Sequence, residues 1–265
     1  MARSTFYYQL KKEKEEDKYQ THKKIIYDVY HTHKGRYGYR RICCECKKKG
    51  IQINHKTVFK LMTDMGLKAK IRIRKYSSYK GEEGKTAPNL LNRNFTASSP
   101  NEKWATDICE FKVGQRKVYL SCLIDLFSRE IISYTLSASP SFKLVMDMVN
   151  KGLGKFNKAQ LEGLILHSDQ GWHYRMHAYQ RRLKKTGVLQ SMSRKATPLD
   201  NAVIENFFGT VKTELFYLEN FSCIEELERK IKEYINYYNN KRIKVGLKGM
   251  TPVEFRKHSL TLQQI

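Results

Sequence analysis

The sequence predicts an α/β chain: a mixed β-sheet flanked by helices, with a small helical domain before it and a helical, basic segment after it. Three observations predict this. Apolar runs of strand length follow one another at Trp104–Phe111, Lys117–Ile124 and Ile131–Leu136, and strand-like and helix-like runs then alternate. Residues 17–67 instead repeat apolar residues at helical spacing, punctuated by glycines. Residues 218–265 return to a helical pattern rich in Lys and Arg.

After an N-terminal segment, residues 1–16, a first helix is expected from about Asp17 to His31, with Ile25, Ile26, Val29 and Tyr30 as its apolar stripe. Gly35 and Gly38 mark the next turn. A second helix starts near Tyr39 and ends at Gly50, where Lys47, Lys48 and Lys49 complement the helix dipole. Asn54 reads as the N-cap of a third helix, His55–Met65, closed by Gly66. Val58, Leu61 and Met62 would face inward, and Lys56 and Lys60 outward. Two short helices joined by a tight turn, with a basic outer face, predict a helix-turn-helix DNA reader over residues 17–67. A helical hairpin that only packs on its neighbour fits the same pattern. On the DNA-reading interpretation, Arg40, Arg41, Lys56 and Lys60 are candidate DNA-binding residues, joined by Arg72 and Arg74 just beyond the domain.

Residues 68–97 are polar and basic with few apolar anchors, the composition of a linker. Such a stretch is either solvated or lies along DNA phosphates and gains affinity by counterion release. The catalytic core is expected over residues 98–217. Its fourth strand is placed at Gly163–His167 and a short fifth near Leu189, with helices at Ser141–Gly152 and Tyr174–Thr186. In the helical segment 218–265, Thr251-Pro252-Val253-Glu254 has the form of a capping box, with Thr as N-cap, Pro at N1 and Glu at N3.

Charge narrows the partner. The 265 residues carry a formal net charge of +24, and residues 1–100 hold 24 Lys and Arg against 9 Asp and Glu. That balance favours a polyanion, although a merely basic protein of ribosomal type fits charge alone. There is no run of 18 apolar residues and no signal-peptide core at the N-terminus, so a cytoplasmic, nucleoid-associated protein without membrane contact is expected. The six cysteines have no secreted spacing and are expected as thiols. Cys43 and Cys46 have C-x-x-C spacing behind His22, His31 and His33, but R-I-C-C-E-C-K-K-K reads better as a helix with small apolar residues inward than as a zinc site.

Three carboxylates carry the chemistry. Asp107 interrupts the strand W-A-T-D-I-C-E-F and shares a face with Ala105, Cys109 and Phe111. Asp169 ends the short apolar strand L-I-L-H-S. Glu205 lies in P-L-D-N-A-V-I-E-N-F-F-G-T-V-K (Pro198–Lys212), which has a helical period. Carboxylates beside buried strands are costly to desolvate unless a cation compensates them, and hard divalent cations prefer oxygen ligands. Taken singly, an Asp at a strand end is an ordinary turn residue. Jointly, H-S-D-Q-G followed by D-N-A-x-x-E-N-F-F, with 35 residues between Asp169 and Glu205, is a specific pattern.

On these motifs, with Y-G-Y-R-R-I (Tyr37–Ile42), Y-I-N-Y-Y-N-N-K-R (Tyr234–Arg242) and T-P-V-E-F (Thr251–Phe255), the chain resembles the transposases of the insertion sequence three family, within the retroviral-integrase superfamily of DDE recombinases. The resemblance runs from about Ser4 to Phe255 and is closest to the product of such an element's second reading frame. It implies a ribonuclease H-like core. It also implies that Asp107, Asp169 and Glu205 are the catalytic residues and ligands of two Mg²⁺ or Mn²⁺ ions. The implied partners are transposon terminal inverted-repeat DNA and target DNA, in a homo-oligomer on DNA, with a frameshift fusion to an upstream-frame DNA-binding protein. Asp125, in D-L-F-S-R, is a rival second carboxylate, but its strand-turn setting and an Arg129 partner suggest a structural role. Lys212, seven residues after Glu205, returns to nearly the same helix face, as does Asn201 one turn before it; both are candidate DNA-binding residues. Ile204, Phe207, Phe208, Val211 and Leu215 would form the buried stripe. His173, Ala196 and Lys244 depart from common family residues. A non-catalytic element-end-binding regulator and a structure-specific nuclease of ribonuclease H-like fold are the competing functions.

Overall fold

A computed structural model describes residues 3, 17–70, 87–194 and 201–262. The chain divides into two compact units, one within residues 1–71 and one within 72–265. Arg72, Arg74, Ala196 and the start of the Pro198–Lys212 motif lie outside the described residues.

The N-terminal unit is a three-helix cluster: α1 (Gln20–Thr32), α2 (Tyr39–Lys48) and α3 (His55–Asp64). Its core closes on Ile26, Val29, Tyr37, Ile42, Val58 and Leu61, all buried. The caps are those the sequence predicts. Asn54 Oδ1 accepts the Lys56 N–H at 2.9 Å, and Gly50, at φ +79°, ends α2 in a backbone region costly for a side chain. Cys43 Sγ donates to the Ile53 carbonyl at 3.4 Å. Burial pushes the Cys46 thiol up to about 11.

The second unit is built on a five-stranded sheet in the order β3-β2-β1-β4-β5. β1 (Lys103–Val113), β2 (Arg116–Asp125) and β3 (Ile131–Ser137) form the expected antiparallel meander. β4 (Ile165–Ser168) pairs parallel with β1, and β5 (Leu189–Met192) parallel with β4. Period-two alternation sends Trp104 and Ile108 to one face of β1, and Ala105, Cys109 and Phe111 to the other. The Trp104 face is covered by α4 (Phe142–Leu153), by the short α5 (Lys158–Leu161), and by α6 (Trp172–Arg175) and α7 (His177–Lys185). Ser141 caps α4 as its N-cap.

The Ala105 face is covered by α8 (Ala202–Val211) and α9 (Ile224–Asn240), whose Leu227, Ile231, Ile235 and Tyr238 join the same buried cluster. α10 (Pro252–Leu262) follows. Its capping box forms, with Thr251 N–H donating to Glu254 at 2.8 Å and Glu254 N–H to Thr251 Oγ1 at 3.2 Å.

Three features depart from the sequence reading. The expected helix Tyr174–Thr186 is two helices, broken where Met176 takes an extended conformation (ψ 133°). The end of the polar stretch 68–97 is tied to the sheet: Leu90 and Leu91 N–H groups donate to Ser191 Oγ at 3.0 and 3.3 Å, and Met192 N–H donates to the Pro88 carbonyl at 3.3 Å. These residues cover the β5 edge, which would otherwise offer unpaired backbone groups. Beyond α8 the helix passes into a π turn, Lys212–Phe216. The turn carries Glu214 into the interior, where Arg242 donates to its two oxygens at 2.6 and 2.8 Å and the Tyr234 hydroxyl donates at 2.8 Å. A buried Arg–Glu pair satisfied on both oxygens is costly to break from one side.

Candidate active site

β1 and β4 fix the first two carboxylates. Their parallel register pairs Lys103 with Ile165, Trp104 with Leu166 and Ala105 with His167. Continued two residues past Ala105, it sets Asp107 alongside Asp169, just after β4 ends at Ser168, on strands about 4.8 Å apart. Alternation turns Asp107 to the Ala105 face, as the sequence predicts. Both aspartates are half-buried. Asp107 Oδ1 accepts the Ile108 N–H at 2.7 Å.

Asp169 is held by a tight turn: its Oδ1 accepts the Gly171 N–H at 2.9 Å. A Cβ on Gly171 would lie 2.9 Å from that same oxygen and 3.4 Å from the Tyr174 ring, so a side chain there would push the carboxylate out of this position. Gly171 φ is −53°, which any residue can adopt.

Glu205 stands in the first turn of α8, half-buried. The predicted stripe Ile204, Phe207, Phe208, Val211 and Leu215 is buried against Ala105, Cys109 and Phe111. The helix bearing Glu205 therefore lies over the sheet face to which Asp107 points. Burial, then the neighbouring Asp169 and Glu205 charges, hold the Asp107 carboxyl well above the usual range, while Lys212 opposes them. Burial also raises Asp169, against the Gly171 N–H, His173 and Arg175.

Lys212 is half-buried, its Nζ 5.6 Å from the centroid of the Phe111 ring. It opposes burial at the Cys109 thiol, which nonetheless rises to about 11. Asn201 is buried at the N-cap of α8, and its Oδ1 has no hydrogen-bond partner among the described residues. The register thus gathers Asp107 and Asp169, and electrostatics link Glu205 and Lys212 to Asp107. Among the described residues, no three His, Cys, Asp or Glu side chains close into a complete metal-ligand set.

Asp125 belongs elsewhere. It pairs with Trp104, three register positions from Asp107, and so points to the other face. It is fully buried; its oxygens accept from Ser128 N–H (2.8 Å), Ser128 Oγ (2.7 Å) and Asn101 N–H (3.1 Å). The guanidinium within 4 Å is that of Arg256, at 3.8 Å; Arg129, the expected partner, donates its backbone N–H to the Asp125 carbonyl at 2.9 Å and interacts with the carboxylate electrostatically at longer range.

The candidate DNA-binding residues of the N-terminal unit divide. Arg40, Lys56 and Lys60 are exposed, whereas Arg41 is folded over the Tyr37 ring and donates to the Arg36 carbonyl. Of the departures from family residues, His173 Nε2 lies 2.7 Å from the Pro140 carbonyl and Lys244 Nζ sits 4.9 Å from the Tyr238 ring. Sequence reasoning missed Glu214. An acid one position before the buried Leu215 was the available signal, but its partner lies 28 residues on.

Family models match along the chain: an integrase core domain over residues 97–198, a second integrase core model over 205–260, and an HTH-like domain over 16–76. The putative transposase InsK for insertion sequence element IS150 of Escherichia coli is 53% identical, over 98% of this chain and 91% of that protein. The transposase for insertion sequence element IS904 of Lactococcus lactis is 40% identical, over 87% of this chain and 91% of its own length. Transposase InsF for insertion sequence IS3A of Escherichia coli is 33% identical, over 89% and 82%. Among solved structures, the HTLV-2 integrase catalytic core domain in complex with magnesium aligns over 60% of this chain and 98% of its own, at 16% identity and a TM-score of 0.47. With full-length relatives of this identity and an integrase core joined to an HTH-like domain, the chain belongs to the insertion sequence three family of transposases.

Proposed function

We propose that Asp107, Asp169 and Glu205 are the catalytic carboxylates of this DDE transposase, acting on transposon terminal inverted repeats and target DNA. The observation that carries this reading is the β1–β4 register, which aligns two half-buried aspartates beneath the helix bearing Glu205. The donor set fits a hard divalent cation. It is all oxygen, and the burial and mutual repulsion that raise Asp107 are what a cation relieves. Two Mg²⁺ or Mn²⁺ ions bound there would activate the attacking water or DNA 3′-hydroxyl and stabilise the leaving oxygen of an in-line displacement.

The chain's own residues bind and orient. Asp107 and Asp169 form one wall, with Asp169 fixed by the Gly171 N–H. Glu205 stands on α8, whose apolar stripe packs on the same sheet face as Asp107. Lys212, on one face with Glu205, offers a cation to a DNA phosphate, and Asn201, one turn before Glu205, belongs to the same DNA-binding proposal. In the N-terminal unit, Arg40, Lys56 and Lys60 contact end DNA; Arg41, Arg72 and Arg74 belong to the same proposal. Assembly as a homo-oligomer on DNA, fusion to an upstream-frame DNA-binding protein and association with the nucleoid complete the reading. No described helix is long and apolar enough to cross a membrane.

The test is incubation with labelled terminal inverted-repeat DNA and Mn²⁺, with and without the upstream-frame partner fused. The expected products are nicked ends and joined strands. Cleavage without any strand-transfer product, in both forms, would replace the transposase reading with a nuclease.

A further inference from the structure

The recognition face of the N-terminal unit carries a residue that charge alone does not reveal. α3 buries Val58, Leu61 and Met62 and turns His55, Lys56, Phe59 and Lys60 outward, within about 140° of arc at 100° per residue. Phe59 is 57% exposed, the most exposed of the large hydrophobic side chains described. It is also held in place. Tyr39, at the start of α2, meets its ring edge-on, with centroids 5.3 Å apart, and stacks with His55 at 6.2 Å. The surroundings are cationic: residues 17–70 carry 14 Lys and Arg against 4 Asp and Glu. On α3 itself the one acid, Asp64, sits at the last position, away from the first two turns.

An ordered phenyl ring flanked by lysines suits a surface that is polyanionic at its rim and apolar at one point. The major groove of DNA is such a surface wherever a thymine presents its C5-methyl group, and the N-terminal residues of a recognition helix are those that reach base edges. We propose that Phe59 is a base-reading residue that packs on a thymine methyl, with Lys56 and Lys60 on the flanking phosphates or base edges and Tyr39 holding the ring. This rests on the reading of the N-terminal unit as the binder of end DNA. The rival occupant, a second copy of the chain covering Phe59, is an outcome of the test.

The experiment selects a preferred duplex from a random library with the full chain, then replaces its thymines one at a time by deoxyuridine, which removes only the methyl. At one position the wild-type chain should lose about fourfold in affinity, the scale of one buried methyl group. Phe59→Ala should bind the thymine duplex more weakly by a similar factor and be indifferent to uracil at that position. Phe59→Leu should retain part of the methyl dependence. A wild-type chain indifferent to uracil everywhere would overturn the assignment of Phe59. So would equal methyl dependence in wild type and Phe59→Ala, and a sedimentation change in that variant alongside unaltered methyl dependence would place a second copy on the ring. A selection yielding no preferred sequence would overturn the N-terminal reading itself, and Phe59 with it.

Discussion

Gly171 and Asp169 are in such close contact that one fixes the other: the Gly171 N–H donates to Asp169 Oδ1 at 2.9 Å, and a Cβ on Gly171 would stand 2.9 Å from that oxygen. Because Gly171 φ is ordinary, Gly171→Ala strains no backbone dihedral and acts only through this contact. The expected outcome is a folded protein whose nicking rate falls about 100-fold, the cost of misplacing a reacting group by about an ångström. Nicking kinetics beside a melting curve check it. Wild-type nicking by this variant would mean that the turn does not position Asp169.

Burial together with crowding of like charges predicts a pH dependence. Asp107 is held well above the usual carboxylate range by burial and by Asp169 and Glu205. Without metal, the folded state therefore holds this proton more tightly than the unfolded chain does. The stabilisation is fully present below the unfolded value, about 3.9, and is lost as pH rises through the raised folded value. Asp107→Asn removes that penalty. At neutral pH the metal-free variant should be more stable than wild type and melt at a higher temperature. The difference should shrink toward pH 4. Mn²⁺ should raise the wild-type Tm and leave that of the variant nearly unchanged. Melting curves across pH, with and without Mn²⁺, read both effects.

The place to cut the chain follows from the β5 edge. A protein starting at Ala87 keeps the residues that cover β5, whereas one starting at Thr96 loses them together with Leu91, which is 2% exposed. The Thr96 start should be less stable by about 2–5 kcal/mol, as for loss of a buried leucine. The Ala87 start should stay folded, bind DNA more weakly and show a shallower salt dependence. Equal affinity and equal salt slope in the Ala87 start and the full chain would show that the N-terminal half is not the reader.

Much of this was legible in sequence because it depends on local periodicity. Period two fixed the face of Asp107, helical spacing fixed the buried stripe beneath Glu205, and Asn54 and Thr251 announced their helices by side-chain chemistry. What sequence hid depends on partners far along the chain. Arg129, four residues after Asp125, does act on it electrostatically, but the guanidinium within 4 Å is that of Arg256, 131 positions on. Residues 87–91 look like linker because they attach largely through backbone N–H and carbonyl groups, which composition does not register. Tyr174–Thr186 keeps helical spacing across Met176, so the break was invisible. The helical stripe carried as far as Leu215, but the π turn from Lys212 also takes Glu214 inside, to an Arg242 partner that local spacing cannot indicate.

Lys212 provides a test of that geometry. Its Nζ stands over Phe111, within electrostatic reach of Asp107. Lys212→Ala should slow strand joining by about tenfold or more, the scale of one charge-assisted contact to a phosphate. Mn²⁺ affinity should not change. Wild-type joining by this variant at moderate salt would return Lys212 to the solvated surface.

The central claim is that Asp107, Asp169 and Glu205 act together on the phosphodiester. Its most direct measurement is nicking of labelled terminal inverted-repeat DNA in Mn²⁺ by Asp107→Asn, Asp169→Asn and Glu205→Gln, with DNA affinity measured on the same preparations. Each amide keeps the shape of the side chain and removes the charge that a cation requires. Nicking should vanish in all three while affinity for the DNA persists. A variant that still nicks at a tenth of the wild-type rate would remove its residue from the site and contradict the account.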